Sequence, residues 1–155
     1  MTVHAGDVVE DFTLTDDQGQ ARSLTEFLAD GPVVLFFYPA AMTKGCTAQA
    51  CHFRDLGAEF AALGAQRVGI SRDDVAAQRR FAEAHGFDYP LLSDPDGTVA
   101  SKLDVRRALP LGPLRTKRTT IVIDTDRTVL GMIHNEVSMT AHADRALEIL
   151  RSRAS

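Results

Sequence analysis

Apolar residues in this chain occur in short continuous runs and in longer runs with helical spacing, which predicts alternating strands and helices. Residues 33–38 are continuously apolar and β-branched or aromatic, as in a strand covered on both faces. Residues 66–71 predict a second buried strand, and residues 119–124 and 128–134 predict two more joined by a short polar turn. Residues 12–22 predict a β-hairpin, because an alternating Phe-Thr-Leu is followed by a turn at Asp-Gln-Gly.

The runs with helical spacing predict helices between these strands, and the sequence therefore predicts the α/β fold class. Helices are predicted over residues 24–28, 44–63, 74–85 and 140–151. Ser23 is suited to cap the first helix, and Gly86 to end the third. Strands that alternate with helices, followed by a hairpin and a last helix, predict a mixed central sheet flanked by helices. We expect one domain over residues 1–155.

Composition excludes some classes of function. Of the 155 residues, 45% are hydrophobic and 25% charged, and the formal net charge is −4. This balance argues against a general affinity for nucleic acid or for an anionic membrane. The longest apolar run, residues 33–42, is broken by Pro39 and is too short to span a bilayer. The first ten residues do not resemble a secretory signal, so a cytoplasmic location is expected.

A basic stretch over residues 101–118 is harder to interpret. Two prolines and a glycine interrupt it, which predicts a short helix or turn followed by a solvated basic loop. Arg118 directly precedes a predicted strand. For this residue an ordinary surface charge and a functional cation both remain open.

Cys46 and Cys51 are the only cysteines, and both fall in the helix that follows the first buried strand. At about 100° per residue, Cys46 lies on the inward apolar stripe and Cys51 is rotated by about 140° toward the wetter side. Their Cα atoms would be about 8–9 Å apart in an intact helix, whereas a disulfide needs less than about 7 Å. The two thiols therefore cannot bond unless a turn of the helix unwinds.

The start of this helix offers groups that can hold an anion and a departing oxygen. A helix N-terminus favours a thiolate, but a lowered thiol pKa alone brings only a small gain, because nucleophilicity falls with it. Donors that stabilise the leaving oxygen contribute more. The sequence offers the Gly45 and Cys46 N–H groups, the Thr43 hydroxyl and a guanidinium that folds back.

Other interpretations of the same residues remain open at this point. A single cysteine on an apolar helix face is commonly inert packing. Half of a zinc site is disfavoured, because there is no second pair and His52 is badly placed beside Cys51. Thr43 stands three residues before Cys46, where a helix N-cap belongs, and the spacing favours a hydroxyl that only caps a backbone N–H.

The combined pattern resembles the peroxiredoxins. Pro39-x-x-x-Thr43-x-x-Cys46 after an apolar strand is similar to their peroxidatic motif, and Cys51 in the same helix resembles the peroxiredoxin Q (bacterioferritin comigratory protein) subfamily. The likeness continues at residues 5–14, 68–71, 81–83, 90–94 and 118–124, in the expected order.

The resemblance implies a thioredoxin-like fold with an N-terminal β-hairpin extension, and a thiol peroxidase acting on hydrogen peroxide or organic hydroperoxides. Cys46 would attack the peroxide and Cys51 would resolve the sulfenic acid as an intramolecular Cys46–Cys51 disulfide. Thr43, Gly45 and Arg118 would bind the peroxide, and Pro39 would shield the thiol. A thioredoxin-like protein would be the reductant, and no metal, haem or flavin would be needed. We expect a monomer, with a dimer as the alternative.

Two positions depart from the usual pattern of the family. Lys44 stands where it has proline, and we hypothesise that this makes the first helical turn easier to unwind. Gln49 stands where many members have glutamate, which removes one negative charge near the thiol. Two rival functions are a thioredoxin-like disulfide reductase and a non-enzymatic redox sensor or holdase. The first would need two cysteines that bond without rearrangement, and the second predicts slow oxidation of Cys46.

Overall fold

A computed structural model describes residues 3–103 and 117–154. Within these residues, seven strands form one sheet in the order β2-β1-β5-β4-β3-β6-β7. The strands are β1 (Thr13–Asp16), β2 (Ala21–Ser23), β3 (Val33–Phe37), β4 (Gln66–Ser71), β5 (Leu91–Ser93), β6 (Thr119–Ile123) and β7 (Val129–His134). The helices are α1 (Leu24–Leu28), α2 (Lys44–Asp55), α3 (Gly57–Ala62), α4 (Val75–His85), α5 (Thr98–Lys102) and α6 (Ala141–Ala154).

The central strand β3 makes the sheet mixed. It pairs in parallel with β4 and antiparallel with β6. On the far side of β4, strand β5 is parallel to β4 and carries the β1–β2 hairpin at its outer edge. The predicted mixed sheet flanked by helices, with an N-terminal hairpin, is therefore confirmed.

Two apolar layers cover the two faces of the sheet, and β3 contributes to both. Val33, Leu35 and Phe37 pack in the layer that includes residues of α1 and α5. Val34 and Phe36 pack in the opposite layer, with residues of α2, α3, α4 and α6. Because every residue of β3 meets one of these layers, the strand is apolar throughout rather than alternating.

The single helix predicted over residues 44–63 is wrong, because it breaks at Leu56. This residue has φ −95° and ψ +19°, and it separates α2 from α3. A Cβ added at Gly57 would lie 3.1 Å from Arg67 Nη2 and 3.2 Å from Asp88 Oδ2. Arg67 also donates to the Phe53 carbonyl at 2.9 Å. The ion pair between Arg67, near the start of β4, and Asp88, before β5, therefore lies against the bare glycine, and its arginine binds a carbonyl near the end of α2.

The remaining differences are at short elements and at chain ends. Strand β5 was not predicted, and helix α6 runs to Ala154 rather than to about Arg151. Helix α5, Thr98–Lys102, was not predicted, and it reaches only the first two residues of the stretch 101–118 in which a short helix or turn was expected. Most of the predicted basic loop, residues 104–116, lies outside the described residues. The other predicted strands, the Ser23 cap and the Gly86 helix end are confirmed.

Candidate active site

Cys46 is the third residue of α2, and its side chain is only 1% exposed. The main-chain bond from Thr47 N–H to the Thr43 carbonyl, 2.9 Å long, closes the first turn of the helix. The amides that precede Thr47 have no partner inside the helix. Together with the positive end of the helix dipole, they favour an anion at this end of α2. The predicted inward position of Cys46 is confirmed.

Arg118 brings a guanidinium to the sulfur of Cys46. It directly precedes β6, whose first residue, Thr119, pairs with Phe37 at the end of β3. This register places residue 118 beside the connection from β3 to α2. Arg118 is 7% exposed, and its Nη2 donates to Cys46 Sγ at 3.4 Å while Nη1 donates to Gln49 Oε1 at 2.5 Å. The alternative of an ordinary surface charge is therefore wrong.

Gly45 makes room for this guanidinium. A Cβ added at Gly45 would lie 3.2 Å from Arg118 Nη2 and 3.4 Å from Met139 Sδ. Both distances are tighter than most contacts of a real Cβ, so a side chain here would press on both neighbours. The absent side chain of Gly45 thus matters for the site, in addition to its backbone N–H.

Gln49 lies one turn beyond Cys46 and is fully buried. Its Oε1 accepts the hydrogen bond from Arg118 Nη1. Its Nε2 and the Nε of Arg118 are buried and have no hydrogen-bond partner among the residues that the structure describes. A neutral amide therefore orients the guanidinium here, and the Arg118 charge is not neutralised by a carboxylate at position 49.

Thr43 occupies the N-cap position of α2, with φ −80° and ψ 156°, but its hydroxyl does not cap the helix. The hydroxyl donates instead to the Ala40 carbonyl at 2.8 Å. The favoured interpretation of a capping hydroxyl is therefore wrong. Because no other side chain of the described residues caps α2, the first-turn amides are left to other acceptors.

The connection from β3 to α2 includes Pro39 and carries the Thr43 hydroxyl at the surface. Pro39 is half-buried at the beginning of the connection. Ala41 N–H donates to Asp73 Oδ2 at 2.7 Å. The exposed Met42 has φ +66°, a left-handed backbone conformation that residues other than glycine seldom adopt.

Cys51 is half-buried in the same helix, and both cysteines are free thiols. The predicted difference in exposure between the two is confirmed. Beside Cys51, Ala50 accepts a hydrogen bond at its carbonyl from the Tyr89 hydroxyl at 2.7 Å. His52 Nε2 lies 2.8 Å from Asp144 Oδ1 of α6. No group of three or more His, Cys, Asp or Glu side chains among the described residues is arranged to hold a metal ion.

The connection from β7 to α6 forms another wall beside Arg118. Glu136 Oε1 accepts the backbone N–H of Arg118 at 3.1 Å. The buried His142 ring binds the Asn135 carbonyl through Nε2 at 2.7 Å and the Thr120 hydroxyl through Nδ1 at 2.8 Å. A carbonyl only accepts, so Nε2 carries the proton and Nδ1 accepts. Burial lowers the pKa of His142, which fits this neutral form.

Comparisons with known proteins show the family to which the chain belongs. The model of the AhpC/TSA family matches residues 5–132. The chain belongs to this family, the peroxiredoxins. A crystal structure of peroxidoxin BcpB from Mycobacterium tuberculosis has a TM-score of 0.94 and 59% identity over 99% of each chain. Peroxiredoxin Q from Xanthomonas campestris has a TM-score of 0.85 and 30% identity, over 93% of this chain and 92% of its own. The chloroplastic peroxiredoxin Q of Gentiana triflora is 41% identical over 97% of this chain and 68% of its own length.

Membership shows three things about this peroxiredoxin. Its fold is the thioredoxin-like fold of the family, its activity is that of a thiol-dependent peroxidase, and it therefore uses a peroxide and a reductant. The resemblance to peroxiredoxin Q is confirmed. Within the described residues, no helix is long and apolar enough to cross a membrane.

Sequence reasoning missed three residues that shape the site. Gln49 was noted only as a change of charge, although it binds the guanidinium. Met139 and Asp73 come from the β7–α6 connection and from the loop after β4, and they reach the site only through tertiary contacts. No local sequence pattern indicates either residue, because each acts across a large separation in the chain.

Proposed function

We propose that Cys46 is the peroxide-reacting thiol of this peroxiredoxin and that Cys51 resolves its oxidised form. The observation that carries the proposal is the buried Cys46 Sγ at 3.4 Å from Arg118 Nη2, at the uncapped start of α2. A guanidinium and a helix N-terminus both stabilise a thiolate. An inert packing cysteine would have no need of a buried cation beside it.

In the first step, the Cys46 thiolate attacks one oxygen of the peroxide, and an S–O bond forms as the O–O bond breaks. Cys46 becomes a sulfenic acid, and the other oxygen leaves with the bonding pair and takes a proton to become water or an alcohol. Arg118 and the amides of Gly45 and Cys46 are the donors proposed to hold the peroxide and the departing oxygen. Donation to Ala40 orients the Thr43 hydroxyl, which leaves its oxygen free to accept the O–H of the peroxide. Pro39 would shield the thiol.

In the second step, the Cys51 thiol attacks the sulfenic acid sulfur, a disulfide forms and water leaves. The sulfur of Cys46 is thereby reduced from sulfenic acid to disulfide as Cys51 is oxidised. Because the two cysteines point about 140° apart around α2, part of the helix has to unwind first. A dithiol protein similar to thioredoxin then reduces the disulfide by exchange and is itself oxidised.

We also propose the cellular compartment and the oligomeric state in which this cycle runs. Two free cysteines in one small chain suit the reducing cytoplasm, where a disulfide forms only transiently during turnover. We propose a single domain over residues 1–155, working as a monomer with both cysteines supplied by one chain.

Cysteine variants test these roles. Cys46→Ser should abolish peroxide consumption with a thioredoxin system, for hydrogen peroxide and for organic hydroperoxides. Cys51→Ser should consume one equivalent of peroxide and stop as the sulfenic acid, which mass spectrometry detects after trapping with dimedone. The opposite pattern would reverse the assignment of the two thiols.

Assays of the unmodified protein distinguish the proposed function from its two rivals. A disulfide reductase would reduce insulin with dithiothreitol faster than a Cys46→Ser control, and we expect no such acceleration. A sensor or holdase would show Cys46 oxidation at the rate of a free thiol. Either result would contradict the proposed mechanism.

A further inference from the structure

The connection from β3 to α2, here called the 39–43 loop (Pro39 to Thr43), is anchored from outside by one carboxylate. Ala41 N–H donates to Asp73 Oδ2 at 2.7 Å. The loop contains Met42 in a left-handed conformation, which persists only where the surroundings hold it. The carboxylate therefore acts on a strained segment that leads directly into α2.

Asp73 is itself held rigidly by the strand it follows. Ser71 Oγ donates to Asp73 Oδ2 at 2.6 Å, so the oxygen that accepts from Ala41 has a second donor. Asp73 N–H returns to Ser71 Oγ at 3.2 Å, and Ser93 Oγ donates to the Asp73 carbonyl at 2.6 Å. Because the last residues of β4 and β5, Ser71 and Ser93, bind its side chain and main chain, the Asp73 carboxylate is a defined anchor rather than a mobile surface charge.

The same hydrogen bonds continue to the residue that precedes the loop. Gln78 Nε2 donates to Ser71 Oγ at 3.0 Å and to the Leu92 carbonyl at 2.7 Å. The Tyr38 hydroxyl donates to Gln78 Oε1 at 2.5 Å. Tyr38, Ser71 and Gln78 are all buried. One buried network thus holds the 39–43 loop at its entrance, through Tyr38, and at its middle, through Ala41.

We infer that Asp73 is a positioning residue for the peroxide reaction. Through the Ala41 N–H it fixes the 39–43 loop, and so the Thr43 hydroxyl and the first turn of α2 relative to Arg118. It touches neither the thiol nor the peroxide. This inference rests on the proposed role of Cys46. The contacts of Arg118 with Cys46 and Gln49 do not pass through Asp73, so the loss of Asp73 affects the alignment of the peroxide rather than the thiolate.

The test compares two neighbouring aspartates in a Cys51→Ser background. In the Asp73→Ala variant, the second-order rate of Cys46 oxidation by hydrogen peroxide should fall by about 10- to 100-fold, because small misplacements of reacting groups have effects of this size. Asp73→Asn retains a carbonyl oxygen for the Ala41 N–H and should recover most of the rate. Asp74→Ala is the matched control. Asp74 caps α4 through Ala77 N–H at 2.8 Å, and its loss should lower stability but leave the oxidation rate within about threefold.

A second readout separates positioning from ionisation of the thiol. Alkylation of Cys46 by iodoacetamide reports the thiolate without any need to align a peroxide. Its rate and its pH midpoint should be the same in Asp73→Ala as in the parent protein. Equal peroxide rates in Asp73→Ala and the parent would overturn the inference. So would equal losses in Asp73→Ala and Asp74→Ala, failure of Asp73→Asn to recover the rate, or a fall in alkylation that matches the fall in oxidation.

Two other outcomes, a variant that does not fold and a parent protein that reacts slowly, are interpreted separately. If Asp73→Ala does not fold, Ser71→Ala replaces it, because this change removes one donor to the carboxylate and leaves the carboxylate in place. Oxidation should then be several-fold slower, and an unchanged rate would overturn the inference. If the parent itself is oxidised only as fast as free cysteine, the proposed function fails, whatever the ratio between the variants.

Discussion

The two ends of α2 differ in how firmly they are held. At its start, the described residues provide no side-chain cap, the first turn has no acidic residue, and the exposed Lys44 adds a positive charge. Toward its end, side chains from other elements bind the helix carbonyls. The Tyr89 hydroxyl binds the Ala50 carbonyl at 2.7 Å, and Arg67 binds the Phe53 carbonyl at 2.9 Å.

This difference suits a helix that carries one reactive and one resolving thiol. A capping side chain would occupy the amides that we propose for the peroxide, at a gain in stability of about 1 kcal/mol. Each side-chain bond to a carbonyl in the second half contributes a similar amount, about 1 kcal/mol. The first-turn amides at the Cys46 end are therefore chemically open, although the loop before them is anchored through Asp73, whereas side chains from other elements bind the carbonyls of the half with Cys51. Unwinding should begin at the Cys46 end.

Replacement of Arg118 should have the largest effect on the open end. Arg118→Lys keeps a positive charge but cannot donate to Cys46 and Gln49 through two nitrogens of one planar group. We expect Cys46 oxidation in a Cys51→Ser background to be about 10²–10³ times slower, as for the loss of a donor to a developing oxyanion. Stopped-flow fluorescence or competition kinetics would measure the rate. Arg72→Lys is a control, because the Arg72 guanidinium donates to the Pro95 carbonyl and has no hydrogen bond with Cys46 or Gln49 within the part of the chain that the structure describes. Equal rates for the two variants would contradict a catalytic role for Arg118.

Gly45→Ala should separate stability from activity at the same end. A Cβ there would lie 3.2 Å from Arg118 Nη2, so the guanidinium that donates to Cys46 Sγ has to shift by a few tenths of an ångström. We expect peroxide oxidation about tenfold slower. Stability should stay within about 1 kcal/mol of the parent, because the higher helix propensity of alanine is opposed by crowding of Arg118 and Met139. Urea unfolding together with stopped-flow oxidation would measure both. A slower reaction with a much larger loss of stability would instead indicate general damage to the fold.

Lys44→Pro should have a smaller effect, on the second step only. Proline is preorganised for the first helical position, and Thr43 already has the extended backbone that a following proline requires. A stiffer first turn should slow formation of the Cys46–Cys51 disulfide by about fivefold, equivalent to about 1 kcal/mol. Rapid-quench mass spectrometry would follow disulfide formation after a peroxide pulse. Unchanged or faster formation would refute the hypothesis that Lys44 eases unwinding, and Lys44→Ala controls for the charge.

Tyr89→Phe should have the smallest effect on disulfide formation. It removes only the hydroxyl that binds the Ala50 carbonyl, which should lower the unfolding free energy by about 1 kcal/mol. If unwinding starts at the Cys46 end, disulfide formation should change by less than about twofold. A marked acceleration would show that the second half of α2 has to open as well. The comparison of the two helix ends would then be wrong.

Much of the fold could be predicted from local pattern. The apolar run of β3 and the capped helix α4, with Asp74 before it and Gly86 after it, depend on residues close in sequence. The break at Leu56 was not predicted, and the Arg67 and Asp88 side chains that lie against Gly57 just after it come from distant parts of the chain. Strand β5 has only three residues and owes its conformation to its neighbours β4 and β1.

The candidate site was likewise predicted where it depends on local spacing and missed where it depends on contacts between distant residues. Helical spacing correctly gave the inward face to Cys46 and the wetter face to Cys51. The Thr43 hydroxyl was misassigned, because spacing cannot distinguish a cap from a bond back to Ala40. The environment of Arg118 depends on the register of β6 against β3, which no local pattern encodes.

The central claim is that Arg118 and the open start of α2 activate the Cys46 sulfur. The most direct test is the second-order rate of oxidation of the Cys51→Ser protein by micromolar hydrogen peroxide at pH 7, measured by stopped flow beside free cysteine. We predict a rate at least about a thousandfold above that of free cysteine, since each of two or more donors contributes about 10²–10³. A rate close to that of free cysteine, in a protein shown to be folded, would contradict the account.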